Sequence, residues 1–203
     1  MTNQTLAVDQ TPIDVASTGG DFQVDQVATI GVGHLVNDTY SAFLVPLLPL
    51  IQQQLGIGYA LAGSLAIFTQ LPSVLNPVIG YLADRVSVRY FVILAPAVTA
   101  TVFSSLGLAP SYVALAILLF VGGISIAAFH APAPAMIAKV AGQRVGTGMS
   151  IFMATGELAR TLGPVIAVVG VAWFGLDGIW RLAVFGWLMS AILYVRLRRV
   201  AAT

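Results

Sequence analysis

Residues 111–137 read SYVALAILLFVGGISIAAFHAPAPAMI, a run without a single Asp, Glu, Lys or Arg. A helix needs about 20 mostly apolar residues to cross the hydrocarbon core of a bilayer, and this run exceeds that length. Stretches of similar character occur on both sides of it, at about 27–54, 58–82, 90–108, 145–172 and 179–197. The sequence therefore predicts an all-α, polytopic membrane protein with six transmembrane helices.

The composition supports this fold class. Hydrophobic residues make up 58% of the chain and charged residues only 8%, whereas soluble domains carry about 25% charged residues. A chain with so few charged residues cannot cover its own surface in water, and we therefore expect lipid to be its solvent. The first basic residue is Arg85, and without a basic patch we expect no nucleic-acid partner. The chain has no Cys, which excludes disulfides and thiolate metal sites.

The charges outside the apolar stretches predict an orientation. Residues 1–23 are polar and acidic and lack basic residues, so we expect a disordered cytoplasmic tail ahead of a membrane domain at 24–203. Seven basic residues follow or connect the predicted helices on one side, against Arg181 on the other; the seven are Arg85, Arg89, Lys139, Arg144, Arg196, Arg198 and Arg199. The positive-inside rule then places both termini in the cytoplasm, with the protein in the plasma (inner) membrane.

Prolines are expected to bend three of the predicted helices, because a proline lacks the N–H of the helical ladder and its ring crowds the preceding turn. They occur in pairs within the first, second and fourth apolar stretches, as Pro46 and Pro49, Pro72 and Pro77, and Pro132 and Pro134.

Ionisable side chains inside the predicted helices are the candidate site, because such residues are rare in lipid and usually functional. They are His34, Asp38, His130, Glu157 and Arg160, with Asn37 beside Asp38. His34 and Asp38 are four apart and Glu157 and Arg160 three apart, so each pair shares a helix face. A rise of about 1.5 Å per residue predicts two layers. The histidines would lie towards the cytoplasmic side, and Asp38, Glu157 and Arg160 near the middle of the membrane.

Each of these residues except Asp38 has a simpler structural explanation. Under these explanations, Glu157 and Arg160 neutralise each other along one helix, His34 hydrogen-bonds a neighbouring helix, and His130 satisfies a carbonyl freed by the prolines. Asp38 has no such explanation. In general, burial raises the pKa of a carboxyl group and a nearby cation lowers it. We therefore expect Asp38 to be the proton-coupling residue.

The two histidines and Asp38 also have the ligand count of a catalytic metal site. The sequence contains neither H-E-x-x-H nor G-x-S-x-G, however, so we predict no enzyme, metal or cofactor.

The segment GYLADRVSVR at residues 80–89 resembles the signature of the major facilitator superfamily, G-x-L-a-D-r-x-G-r-k, which lies between its second and third helices. Gly80, Asp84, Arg85 and Arg89 match the pattern in register, whereas the next glycine and a basic residue of the pattern are Ser87 and Val88 here. The simpler alternative is a turn whose arginines only set the orientation.

Three further segments resemble the fosmidomycin-resistance-like efflux group of that superfamily. They are His34–Asp38 (HLVND), Phe129–Pro132 (FHAP), and the Gly163–Pro164 motif of the fifth helix with the preceding Ser150–Phe152. The fifth helix departs from the antiporter pattern, since Ala159, Ala167 and Val168 replace glycines, and the arginine of the fourth helix is missing.

The resemblance implies a secondary transporter of a small organic solute, with proton-coupled efflux. The family has two six-helix halves with substrate between them, and the 203 residues correspond to the N-terminal half. The expected partner half is a second copy in a homodimer or a separate C-terminal half; the alternative is a non-transporting subunit or truncated remnant. In a dimer, Asp84 of one copy should pair with the Arg144 region of the other as a cytoplasmic gate.

Overall fold

All regular structure in the described residues, 20–75, 77–78, 81 and 89–198 of a computed structural model, is helical. The α-helices are α1 (Val24–Ser41), α2 (Leu44–Leu55), α3 (Tyr59–Gln70), α4 (Arg89–Ser104), α5 (Tyr112–His130), α6 (Ala133–Ala141), α7 (Val145–Phe174) and α8 (Ala183–Leu197). Short 3₁₀ segments occur at Leu71–Leu75, Leu106–Leu108, Gly142–Arg144 and Ile179–Leu182. Most of the predicted tail, together with Gly80, Asp84 and Arg85, lies outside the described residues.

Two of the predicted proline bends are breaks between separate helices. The first apolar stretch is divided at Ala42 and Phe43, four and three residues before Pro46. The fourth is divided after His130, which lies four residues before Pro134. A proline ring displaces the carbonyl four residues earlier and offers it no N–H, so the helix ends there.

Two helical stretches among the described residues are long and apolar enough to cross a membrane, Tyr112–Phe174 and Ile179–Leu197. Tyr59–Val74 and Arg89–Ser104 are shorter apolar helices. The all-α prediction is thus confirmed within the described part of the chain. Six separate spans stay a prediction, because the proline breaks divide the first stretch and the second is described only in part.

One end of the bundle collects the starts of α1 and α4 and the ends of α6 and α8. The backbone N–H of Gln23 donates to the carbonyl of Val140 at 3.0 Å. Arg89 Nη1 donates to the carbonyl of Arg198 at 2.9 Å. Val27, Val92, Val140 and Leu197 from these four helices share one buried cluster. We call this the basic end, because Arg89, Lys139, Arg196 and Arg198 lie in these segments.

The opposite end joins α2, the segment after α4, and the segment before α8. Gln54 Nε2 donates to the carbonyl of Gly107 at 3.0 Å, and Tyr40 Oη donates to the carbonyl of Leu182 at 2.5 Å. Each of α4, α7 and α8 therefore runs from one end of the bundle to the other. The paired segments α1–α2 and α5–α6 do so in two pieces.

Glycines bring α1 and α7 into close contact. A Cβ added at Gly156 would lie 2.5 Å from His34 Cε1, and one added at Gly163 would lie 2.6 Å from the carbonyl oxygen of Thr39. Small residues let helices approach closely where lipid provides no hydrophobic force between them. The close approach positions His34 against the backbone of α7.

Candidate functional site

Asp38 lies between two histidines in the interior of the bundle. Its Oδ1 is 2.9 Å from His130 Nε2, and its Oδ2 is 3.2 Å from His34 Nε2. The side chains of His34 and Asp38 are each only 4% exposed, whereas that of His130 is 34% exposed. We refer to these three residues as the triad. It combines a carboxylate with two imidazole rings.

Local structure explains how the triad is assembled. His34 and Asp38 are one turn apart on α1, so their side chains meet on a single face. His130 is the last residue of α5, where the helix stops before the prolines, and its ring reaches across to α1. The Nε2 atom of His130 contacts Asp38 and not a backbone carbonyl freed by the prolines.

The His34 ring is clamped between two aromatic rings and tied to α7. It stacks on Phe152 at a centroid distance of 3.9 Å and on Phe129 at 5.7 Å. Its Nδ1 is 2.8 Å from the carbonyl oxygen of Phe152, a buried hydrogen bond. His34 thus hydrogen-bonds a neighbouring helix, as the simpler explanation predicts, and it also contacts Asp38.

This hydrogen bond determines which nitrogen of His34 carries the hydrogen. A carbonyl can only accept, so Nδ1 must donate. A neutral His34 then presents the lone pair of Nε2 to a carboxylate oxygen 3.2 Å away. Two acceptors repel at this distance, so an added proton on either His34 or Asp38 makes the contact more favourable. Nε2 is buried and makes no hydrogen bond of suitable geometry.

Asn37 supports the carboxylate from the same helix. It is fully buried, and its Nδ2 donates to Asp38 Oδ1 at 3.1 Å. The Asn37 Oδ1 atom is buried without a hydrogen-bond partner.

A cavity of about 520 Å³ opens beside the triad. Polar groups from four helices line most of it, namely Asp38 and Ser41 of α1, Thr69 and Gln70 of α3, His130 of α5 and Arg160 of α7. Asp38 and His130 of the triad therefore face a space that a small polar solute can enter.

Glu157 and Arg160 form an ion pair at 3.4 Å, and both side chains are 64% exposed. The mutual neutralisation considered from their spacing is present in the structure. The expected layering stays a prediction, and Asp38 contacts both histidines. One helical turn separates His34 and Asp38 along the axis, but their side chains span that distance.

The other predicted residues have mainly packing or terminal positions. Arg89 bonds the end of α8, and Arg144 is exposed at the start of α7, beside Asp21 on the wall of a second cavity. Gly163 packs against α1, and Pro164 lies inside α7. The roles proposed for them as gate and helix-five motif stay predictions.

Sequence analysis missed several residues that build the site. Phe129 and Phe152 hold His34, and Ser41, Thr69 and Gln70 line the cavity. Phe129 and Phe152 lie in the quoted motifs, but nothing local indicates that a residue 118 positions from His34 is its partner.

The described residues combine helical structure, an apolar surface, buried ionisable groups and an adjoining polar cavity. These features are typical of a membrane transport protein. The family model of the Major Facilitator Superfamily matches residues 30–202. The chain therefore belongs to the major facilitator superfamily and is an integral membrane protein of a transporter family. This membership points to a transporter rather than an enzyme.

Two curated relatives agree with this membership. The Fosmidomycin resistance protein of Escherichia coli (strain K12) is 29% identical over 151 residues, which cover 73% of this chain and 37% of that protein. The uncharacterized MFS-type transporter YfnC of Bacillus subtilis (strain 168) is 27% identical over 158 residues, covering 72% of this chain and 38% of that protein. The chain spans less than two fifths of the length of these relatives. No solved structure matches it.

Proposed function

We propose that this chain forms one half of a proton-coupled exporter of a small organic solute. The observation that carries the proposal is the buried contact of His34 with Asp38 beside the polar cavity. An added proton makes this contact more favourable, and the neighbouring cavity provides a route by which a proton and a solute can compete. Such competition at one site is the basis of exchange transport.

The donor arrangement supports a proton site of two connected positions. His34 is inaccessible and held by Phe152, whereas His130 is partly exposed to the cavity. Asp38 contacts both, so a proton that enters at His130 can reach His34 through the carboxylate oxygens. Protons then bind and leave in coupled steps that belong to the triad as a whole.

The cavity favours a polar solute, and the name of the E. coli relative suggests the first one to test. Fosmidomycin is added to inside-out vesicles that contain this chain and a preformed pH gradient. Proton-coupled export predicts that the drug discharges the gradient and that expression raises resistance in a sensitive strain. A panel of polar organic solutes that leaves the gradient unchanged would refute proton-coupled export.

The topology that fits this function has six spans with both termini in the cytoplasm of a plasma (inner) membrane. The bundle supports it, because the basic end gathers Arg89, Lys139 and Arg198 on one side. Labelling of single cysteines tests it, since the chain has no native Cys. Gln143→Cys should react with an impermeant thiol reagent only after the cytoplasmic side is opened; reaction in intact cells would reverse the orientation.

The polar side of the cavity needs a cover in the membrane, because Arg160 lines it, its pair with Glu157 is exposed, and charges facing lipid are costly. We propose a second six-helix half over this face, with another copy of the chain as the first candidate and a separate C-terminal half as the second. A copy related by a twofold axis would bring the two Ser41 residues towards each other.

Cysteine crosslinking distinguishes these candidates. Ser41→Cys at the cavity should give a species of twice the chain mass in native membranes, whereas the control Phe185→Cys on the exposed apolar face of α8 should not. Monomer at every cavity position argues against the homodimer. If transport then also requires an added C-terminal half, the second candidate is correct; if no half restores it, the chain is a non-transporting subunit or remnant.

The gate proposal pairs Asp84 of one copy with the start of α7 in the other. The start of a helix has unpaired N–H groups and the positive end of its dipole, and Arg144 adds a full charge. An Asp84→Cys, Arg144→Cys double variant should crosslink between chains. Crosslinks confined to single chains would contradict the gate without affecting the proton site.

A further inference from the structure

The triad presents three metal-ligand atoms to one point. One nitrogen from each of His34 and His130 and one oxygen of Asp38 lie within 4.8 Å of one another. The two observed nitrogen–oxygen separations are 3.2 Å and 2.9 Å. Ligand atoms around a tetrahedral zinc ion lie about 3.3 Å apart, given bonds of ~2.0–2.2 Å. The two contacts are made to different oxygens of Asp38, and a shift of the partly exposed His130 would bring the set around one ion.

His34 already has the environment of a metal-binding histidine. Such a residue almost always donates its other ring N–H to a carbonyl or carboxylate, which fixes the tautomer and the ring orientation. His34 Nδ1 makes this bond to Phe152, and the aromatic stack prevents the ring from turning. Its other nitrogen, Nε2, is therefore held in a fixed position next to Asp38.

The second, independent observation is that this nitrogen lacks a partner. Nε2 of His34 is buried without a hydrogen bond, on a side chain only 4% exposed. A buried polar atom without a partner is rare and costly. A cation bound at its lone pair and at Asp38 would satisfy it.

We propose that His34, Asp38 and His130 bind a divalent transition metal of the zinc class. Two imidazoles and one carboxylate suit Zn²⁺, Co²⁺ or Ni²⁺ better than Mg²⁺ or Ca²⁺, which prefer oxygen ligands. The cavity beside His130 supplies an entry path and leaves a fourth position for water or another ligand. The proposal does not depend on transport, because it concerns ion binding by the three side chains alone.

Titration of the purified full chain with Co²⁺ tests the proposal, using a purification tag without histidine. A four-coordinate nitrogen and oxygen site gives visible bands far stronger than those of hydrated Co²⁺. We expect one Co²⁺ per chain, displaced by Zn²⁺ and unaffected by Mg²⁺. His130→Asn should weaken binding by more than about 10-fold, since loss of a partner of a ligand alone costs ~10–100-fold. Asp177→Asn, at an exposed carboxylate away from the cavity, is the matched control and should bind as the original chain does.

His130→Asn is the main variant because this side chain is partly exposed and its loss leaves the packing of His34 intact. Asp38→Asn is the second variant, and the helical circular dichroism of both variants is measured alongside. The spectrum of hydrated Co²⁺ with the original chain would overturn the proposal. Equal binding by the original chain and by folded His130→Asn and Asp38→Asn would also overturn it.

Discussion

The triad and the Glu157–Arg160 pair both combine opposite charges on predicted membrane helices, but their surroundings differ. Asp38 is 4% exposed and contacts His130 of another helix. Glu157 and Arg160 are both 64% exposed and contact each other within one helix. A buried carboxylate without its partners is costly, whereas an exposed pair contributes little. The comparison teaches that spacing finds both sets of ionisable residues, while only the tertiary structure shows which set is buried.

The largest effect is expected for transport by Asp38→Asn. The amide keeps the shape of the side chain but cannot hold or pass the proton that favours the His34 contact. Proton-driven solute movement should fall to the level of vesicles without the protein, while membrane insertion stays normal. Glu157→Gln should retain measurable transport. Full proton-dependent transport by Asp38→Asn would shift the proposed coupling role to Glu157.

A double-mutant cycle compares the energies of the two ion pairs. For Asp38→Asn with His130→Asn we expect a coupling free energy of about 1.5–3 kcal/mol, as for buried hydrogen bonds to charged groups. Unfolding in mixed micelles measures this free energy for each variant. A coupling no larger than that of the Glu157–Arg160 pair would remove the distinction between buried and exposed pairs.

The space around His34 gives the next effect. Gly156→Ala would place a Cβ 2.5 Å from the His34 ring, which the stacked phenylalanines prevent from moving. The free energy of unfolding should fall by about 1–3 kcal/mol, as in other overpacked cores. Gly146→Ala on the same helix meets nothing within 4 Å and should raise it by about 0.5–1 kcal/mol. Equal effects of the two substitutions would show that the ring is not confined.

The smallest effect is expected for the exposed pair. Glu157→Gln should change the free energy of unfolding by less than about 1 kcal/mol, because solvent-exposed ion pairs contribute ~0–1 kcal/mol. The measurement is made on the purified chain in mixed micelles, with Arg160→Gln as the reciprocal variant. A loss of several kcal/mol would indicate that another half of the transporter covers this face and buries the pair.

Local pattern accounts for much of the fold. Long uncharged runs such as 111–137 need no partner to be recognised, because a helix satisfies its own backbone and lipid accepts its side chains. The prolines likewise predict a bend in the fourth stretch, since the steric conflict acts within one turn, whereas the structure has a complete break after His130. The number of separate membrane crossings was beyond local pattern, because helix breaks divide two of the apolar stretches into shorter pieces.

The sequence by itself determined the helical class, the family and the ionisable residues of the site, including the shared face of His34 and Asp38. These follow from composition, local spacing and short motifs. Only the tertiary structure decided that Asp38 joins the histidines and that Phe152 sets the tautomer of His34. The His34–Phe152 bond joins residues 118 positions apart. Such contacts depend on how α1, α5 and α7 pack. Glycines such as Gly156 allow α1 and α7 to approach closely, and the distance between two helices cannot be read from the sequence of either one.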